Sequence, residues 1–499
     1  DGFAMPGTEG TWHGLTVDPG TQSVTIISLS DNNLVGSVPA EIGGLDGLRE
    51  LYLANNHLTG SIPREIGDLT RLYKLSMANN QLTGPIPAEL GVLSDLGYLY
   101  LNTNSLSGPI PPELFAPPDL AQVFLYSNEL SGPIPPEIGN AAGLRWIVLR
   151  DNHLTGGIPA ELGNLTGLLV LRLGDNELTG EIPAVLGNLT ALQSLRLSGN
   201  RLTGTIPDSL GNLTQLWELL LHSNQLAGPM PSSLTNLTAL TATNIGYNAL
   251  FTADAALSAF LNSKDADWAA TQTIAPTDVT ATSLDGAVVL VSWLPVAYTS
   301  AAGYYKVMIS EAPGGPYTLA GQTENKTASS VQVTGLTPGT RYYFVVRTVT
   351  DAHANNLNVV ESGDSAEASA VAWLQTEVQI SGTVTAGGAP LAGVVLEGLP
   401  DGTVTSASGA YSATVPVDFS GTVKVRAGLD FSILHEIAGG WKQTEATGAG
   451  AREHGRNFWS CPRTEVVDGR LCMLGRTIHS GHYLFAGFDL ETSAPVKPR

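Results

Sequence analysis

Residues able to make strong, specific contacts recur in this chain at a fixed interval. Tyr52, Tyr100, Phe124, Arg172 and Arg196 fall at one phase of a 24-residue spacing, in a row completed by Ser76, Val148 and Leu220. Tyr98, Tyr126, Trp146, Arg150 and His222 stand two places to either side of that phase. Tyrosine, tryptophan and arginine most often dominate binding surfaces, because they combine contact area with a polar handle. Arginine also grips carboxylates through a planar fork, so the arginine end of the row suits an acidic ligand group. With one strand per repeat and strands about 4.8 Å apart, the six positions from Tyr98 to Leu220 span roughly 24 Å. Arg150, Arg172 and Arg196 are three of the 16 basic residues before position 430, in a chain of net charge −21. The same residue types also suit exposed strands that pair only with one another.

Other chemistry is poorly supported. There is no G-x-S-x-G elbow, phosphate loop or kinase signature set. His435-Glu436 lacks the second histidine of a zinc-protease helix. Cys461 and Cys472, the two cysteines present, are open to pairing in an oxidising compartment, and no CxxC spacing exists. Asn164, Asn188, Asn212 and Asn236 each begin an N-L-T sequon, which the repeat itself explains. No catalytic residue, metal site or cofactor is therefore expected.

The elements that position the row follow from the repeat. Asparagine recurs at Asn32, Asn56, Asn80, Asn104, Asn128, Asn152, Asn176, Asn200, Asn224 and Asn248, without one insertion. Around each lies L-x-L-x-x-N-x-L-t-G-x-I-P, as in Leu53, Asn56, Leu58, Gly60, Ile62 and Pro63. Leucine and isoleucine at fixed phase point into one core that a single repeat cannot close alone. The asparagine amide can satisfy the buried backbone groups of a tight corner. The E-I-G-x-L-x-x-L stretch reads as a short helical turn on the opposite side. With 499 residues, roughly three to four domains are expected. An acidic balance of 24 basic against 45 acidic residues argues against nucleic acid or anionic membrane as partner. No run of about 18 apolar residues is present, so no membrane insertion is expected. Any secretion signal is expected to be removed or to lie outside the chain.

This repeat resembles the plant-type leucine-rich repeat family over about 240 residues. The resemblance implies an α/β solenoid whose strand face is concave and exposes the aromatic and arginine row. Plant members usually carry a cysteine in a W-x-G-V-x-C cap; Trp12-His13-Gly14-Leu15-Thr16-Val17 has valine there, which favours a bacterial member. The cap is placed at 1–28, and Asp254 to Lys264 reads as an amphipathic capping helix within about 252–268, closing the solenoid at 272.

Residues 271–276 read as a linker. From 275 to 373 apolar and polar residues alternate between turn signals. Val289-Leu290-Val291-Ser292-Trp293 reads as a core strand, and Leu336 to Tyr342 as a tyrosine corner. Together they resemble a fibronectin type III domain, without an Arg-Gly-Asp tripeptide. Ile380 to Val384, Ala389 to Val394 and Ser408 to Tyr411 resemble a carboxypeptidase regulatory-like (transthyretin-like) β-sandwich over 376–428, a non-catalytic module. The expected fold is thus an α/β solenoid followed by two all-β sandwich domains and an irregular tail. The tail, 429–499, changes composition and stays unassigned.

The domain string implies a non-catalytic, secreted or cell-surface recognition or adhesion protein. It is expected to be monomeric and to bind a protein, peptide or glycan on the concave face. Two alternatives stay open: the accessory binding region of a larger secreted hydrolase, and a receptor-kinase-like ectodomain.

Overall fold

The computed structural model describes residues 13–374, most of 377–416, and short strand segments between 424 and 495. Cys461 of the Cys461–Cys472 pair, Trp12 and most of the tail lie outside the described residues.

Leucines at the L-x-L positions place one short strand per repeat, and ten such strands stack in parallel in an eleven-stranded sheet whose first strand, Leu15–Val17, is antiparallel. Register advances by one repeat per strand, with Glu50 opposite Lys74, Lys74 opposite Tyr98 and Tyr98 opposite Gln122. Leu51, Leu75, Leu99, Val123, Ile147, Leu171 and Leu195 are fully buried behind it. The hairpin of Leu15–Val17 with Val24–Ser28 closes one end. Beyond each ladder asparagine, the L-T-G residues form a second set of parallel strands, six of them in one sheet. Gly108, at φ +81°, makes the bend that an L-residue resists.

The helical turns opposite the strands are five-residue 3₁₀ segments such as Ala88–Val92, entered through Pro87. The α/β expectation is corrected here: Ala255–Lys264 is the one α-helix among the described residues. A 24-residue coil holding two strands leaves too little chain for longer helices, and the tighter 3₁₀ turn suits such short pieces. Asp254 caps the α-helix, its Oδ1 accepting from the Ala256 and Leu257 amides at 2.8 and 3.3 Å. Leu257 and Leu261 seal the core.

The asparagine ladder is explicit at Asn128. Its amide donates to the Leu101 and Leu125 carbonyls at 3.1 and 3.0 Å, and its oxygen accepts from the Leu106 amide at 3.0 Å. Gln272 continues the series 24 residues after Asn248, with Oε1 taking the Leu250 amide at 2.9 Å and Nε2 reaching the Ile245 carbonyl at 2.9 Å. The linker reading of 271–276 is therefore corrected. Gln272 and Thr273 are buried, because the last coil needs its ladder amide as much as any other.

A five-stranded antiparallel sheet pairs Gly303–Ser310 with Thr318–Gln322 and Arg341–Thr350, and Arg341–Thr350 in turn with Val360–Glu361 and Ala368–Val371. Trp293 is buried against Tyr305, with ring centroids 5.1 Å apart. Two compact units divide the chain: 1–282 with 289–334 and 340–371, and 283–288 with 335–339 and 372–499. In the second, Glu377–Thr383 pairs antiparallel with Ala410–Pro416, and Val384, Leu396 and Val415 are buried. No helix among the described residues is long and apolar enough to cross a membrane.

Candidate functional site

Three residue rows face outward from the large sheet, since alternate strand positions point to opposite faces. Tyr98, Tyr100, Phe124, Tyr126 and Trp146 form one contacting set. Ring centroids lie 6.3 Å apart for Tyr98–Tyr100, 5.0 Å for Tyr100–Phe124, 6.4 Å for Phe124–Tyr126 and 6.0 Å for Phe124–Trp146. Tyr73 extends the strip, edge-on to Tyr98 at 5.1 Å. These rings are half-buried or exposed, with Trp146 37% exposed. Ser76 and Val148 of the same row are buried and offer a ligand little surface.

Each end of the strip carries a cation. Lys74 Nζ lies 4.9, 5.6 and 5.4 Å from the ring centres of Tyr52, Tyr98 and Tyr100. The Arg150 guanidinium lies 4.6 Å from the Tyr126 ring centre. Tyr52 donates to Glu50 at 2.5 Å, and burial together with that carboxylate pushes its hydroxyl up to about 12. Burial likewise raises Tyr100, whose hydroxyl donates to Gln122 Oε1 at 2.7 Å.

The arginine end differs from expectation. Arg196 forms a two-pronged pair with Glu218, Nε to Oε2 at 2.8 Å and Nη2 to Oε1 at 2.6 Å. Arg172 Nη2 reaches the same carboxylate at 3.2 Å, and Ser194 Oγ donates to it at 2.5 Å. The Glu218 side chain is only 5% exposed. Burial pushes its carboxyl up, but hydrogen bonds from Arg196 and Ser194 and the two arginine charges outweigh this and hold it below the usual glutamate range. Arg172 and Arg196 do not stand free for an acidic ligand as expected, because both share one carboxylate two places off their row. Lys74, Gln122 and Glu218 share one repeat phase, so the spacing that locates the tyrosines could have located them too.

His222 stands apart from the aromatic strip. Its ring is kept neutral by burial, and Nδ1 lies 3.3 Å from Ser223 Oγ. Beside it opens a polar cleft of about 550 Å³, lined by Asp175, Glu177 and Arg201 on the repeats and by residues 354–358 of the following domain. That loop is pinned to the ladder edge. Asn356 Nδ2 donates to the Asn224 and Tyr247 carbonyls at 3.0 and 2.8 Å, and Asn358 Nδ2 to the Asn200 carbonyl at 2.6 Å. Ser223 Oγ donates to the Asn355 carbonyl at 2.5 Å. Beneath the loop, the Thr273 and Thr350 hydroxyls meet at 2.7 Å, and the buried Lys326 donates to Thr350 at 3.2 Å. No periodicity announces this loop in the sequence. Among the described residues, no three His, Cys, Asp or Glu side chains converge as a metal site.

Comparison with known proteins agrees with the leucine-rich repeat and with the fibronectin type III resemblance. A leucine rich repeat model matches residues 22–82, 142–202 and 167–226. A fibronectin type III domain model matches residues 274–360. No curated protein sequence matches the chain. Among solved structures, the leucine-rich repeat ectodomain of the receptor kinase GASSHO1/SCHENGEN3 from Arabidopsis thaliana, in complex with CASPARIAN STRIP INTEGRITY FACTOR 2, is 41% identical over 48% of this chain and 29% of that one, with a TM-score of 0.48. The Arabidopsis receptor kinase HAESA, in complex with the peptide hormone IDA, is 37% identical over 45% of this chain and 37% of that one, with a TM-score of 0.44. A plant ice-binding protein is 31% identical over 51% and 84%, with a TM-score of 0.43. This chain thus spans well under half the length of the two receptor chains.

Proposed function

For a chain that carries leucine-rich repeats and a fibronectin type III domain, we propose recognition: the outward face of the large sheet binds an extended ligand, and the chain performs no chemistry on it. One observation carries this reading. Five aromatic side chains, Tyr98, Tyr100, Phe124, Tyr126 and Trp146, stand on three successive repeats with their surfaces half-open to solvent, and Tyr52 joins them across Lys74. Rings this large are seldom gathered at a surface without a partner to bury them. In this reading residues 1–272 recognise the ligand, while 275–373 and the carboxypeptidase regulatory-like region 376–428 hold them away from the surface of a bacterial cell or a secreted assembly. Arg150 contributes from the edge of the strip, and Arg172 and Arg196 stand with Glu218 on the strands beyond it.

The test is capture of ligands from a combined glycan and peptide array by the intact chain and by Tyr100→Ala. The variant should bind at least about tenfold more weakly, a loss of roughly 1.4 kcal/mol, with its melting temperature little changed. Equal capture by both proteins removes the proposal.

A further inference from the structure

The charges and amides around the strip narrow the ligand further. Four cations belong to the outward rows: Lys74, Arg150, Arg172 and Arg196. Three of them have a carboxylate beside them, and Arg150 lies over Tyr126. Glu50 is the direct cross-strand neighbour of Lys74, and Glu218 holds both Arg172 and Arg196. Arg150 acts on Asp175, the residue on the adjoining edge whose carboxyl is raised first by burial and then by Asp151. From Tyr98 to Trp146 the outward positions are Tyr98, Tyr100, Asn102, Gln122, Phe124, Tyr126 and Trp146, so the strip itself carries no charged side chain inside a chain of net charge −21. An acidic or basic polymer finds no ion-pair partner on the strip itself, between the flanking Lys74 and Arg150.

Hydrogen-bonding capacity points the same way. An extended peptide brings one N–H and one C=O per residue, and each needs a partner once water is excluded. Between Tyr98 and Trp146 the outward rows hold two side-chain amides. Gln122 Oε1 already accepts from Tyr100, and Asn102 is buried. What this stretch offers is ring faces, one or two per strand, with tyrosine hydroxyls at their margins. A sugar ring suits that surface, because it can lay its C–H face on an aromatic ring and leave its hydroxyls to water and to those margins. The strand spacing of about 4.8 Å presents fresh aromatic surface at intervals close to one sugar residue.

We infer that the strip from Tyr98 to Trp146 binds a neutral, extended polysaccharide by stacking successive sugar rings on Tyr98, Tyr100, Phe124, Tyr126 and Trp146. The inference rests on the recognition reading above and commits it to one ligand class. Cation–π contacts from Lys74 and Arg150 hold the terminal rings in place, so the platform is pre-ordered before the ligand arrives.

The experiment titrates the intact chain with cellohexaose, xylohexaose, mannohexaose and chitohexaose, read by calorimetry and by tryptophan fluorescence, at low and at high salt. At least one hexasaccharide should bind, with an affinity that salt barely changes. Trp146→Ala and Phe124→Leu should each weaken it about tenfold or more. Phe124→Leu keeps an apolar side chain in place, so circular dichroism and the melting curve should confirm that it folds. A peptide array run with the same proteins separates the two levels of the argument. Failure of all four sugars overturns the glycan inference, and peptide capture that Phe124→Leu abolishes would still uphold the outward face as the site. Binding of any ligand that both variants retain in full overturns the site itself. Sugar binding that collapses at high salt overturns the neutral-ligand assignment.

Discussion

At the scale of single residues, burial and pairing decide what each polar side chain is for. Asn128 satisfies one amide and two carbonyls inside the coil, so Asn128→Ala leaves the buried Leu106 amide without a partner, while the Leu101 and Leu125 carbonyls keep their second donors, Asn104 and Asn152. With about 1–3 kcal/mol for that amide and a smaller loss from the two carbonyl bonds, the change should cost on the order of 3 kcal/mol, measurable by chemical denaturation. Glu218→Gln should cost less, about 1–3 kcal/mol, because Arg172 and Arg196 are partly open to water. The pH dependence of that contact has a defined sign. The Glu218 carboxyl sits below its unfolded value, so its contribution is present above the ordinary glutamate pKa and is lost as pH falls through the folded one. Wild type should therefore lose more stability than Glu218→Gln on acidification below about pH 4.5; parallel melting curves for the two would refute the pairing. Asn128 was legible in the sequence because its partners recur at the same offset in every coil. The fate of Arg196 was missed because its partner lies 22 residues away, one repeat less two places, a diagonal that inspection of one column does not cross.

At the scale of elements, the loop around 353–358 ties the β-domain to the repeats. Its partners lie 108 to 158 positions away, and no pattern local to either segment records that distance. Asn356→Ala should weaken this tie by about 1–3 kcal/mol, leaving the Asn224 and Tyr247 carbonyls without their donor. Faster proteolytic cleavage between Thr350 and Val360 would report it. Alkali should tighten the same joint. Burial pushes the Lys326 ammonium down to about 8, so the cost of holding it charged is in force below that pH and is relieved as pH rises towards the ordinary lysine value. Burial, with the nearby Lys326 charge, also lowers His353, and stability should fall as pH drops below the ordinary histidine range. Melting temperature should rise between about pH 8 and pH 10 in wild type and stay flatter in Lys326→Met. An equal slope in both would remove Lys326 from the account.

At the scale of the whole molecule, leucine phase and the asparagine spacing made the stacked coils readable, because every coil repeats the same solution to the same burial problem. Where the stack ends was less readable, since Gln272 takes the ladder position with a different side chain. Buried contacts at Thr273, Thr350 and Asn356 join the last coils to the fibronectin domain, so these two parts should melt together. Calorimetry of wild type should show one transition for them, and Asn356→Ala combined with Thr350→Val should separate it into two. Two transitions already present in wild type would contradict that coupling.

The loop's hydrogen bonds reach Asn200, Ser223, Asn224, Gln225 and Tyr247, all in the last repeats, which sets where this protein can be lengthened. An extra 24-residue module inserted ahead of Asn200, for example between Asn104 and Asn128, would add a stacking surface and leave every contact of the loop intact. The same module inserted after Asn224 would carry Thr273 one strand spacing away from the carbonyls the loop grips, and the molecule would come apart at its seam. Growth by duplication is thus permitted towards the amino terminus and blocked at the other end.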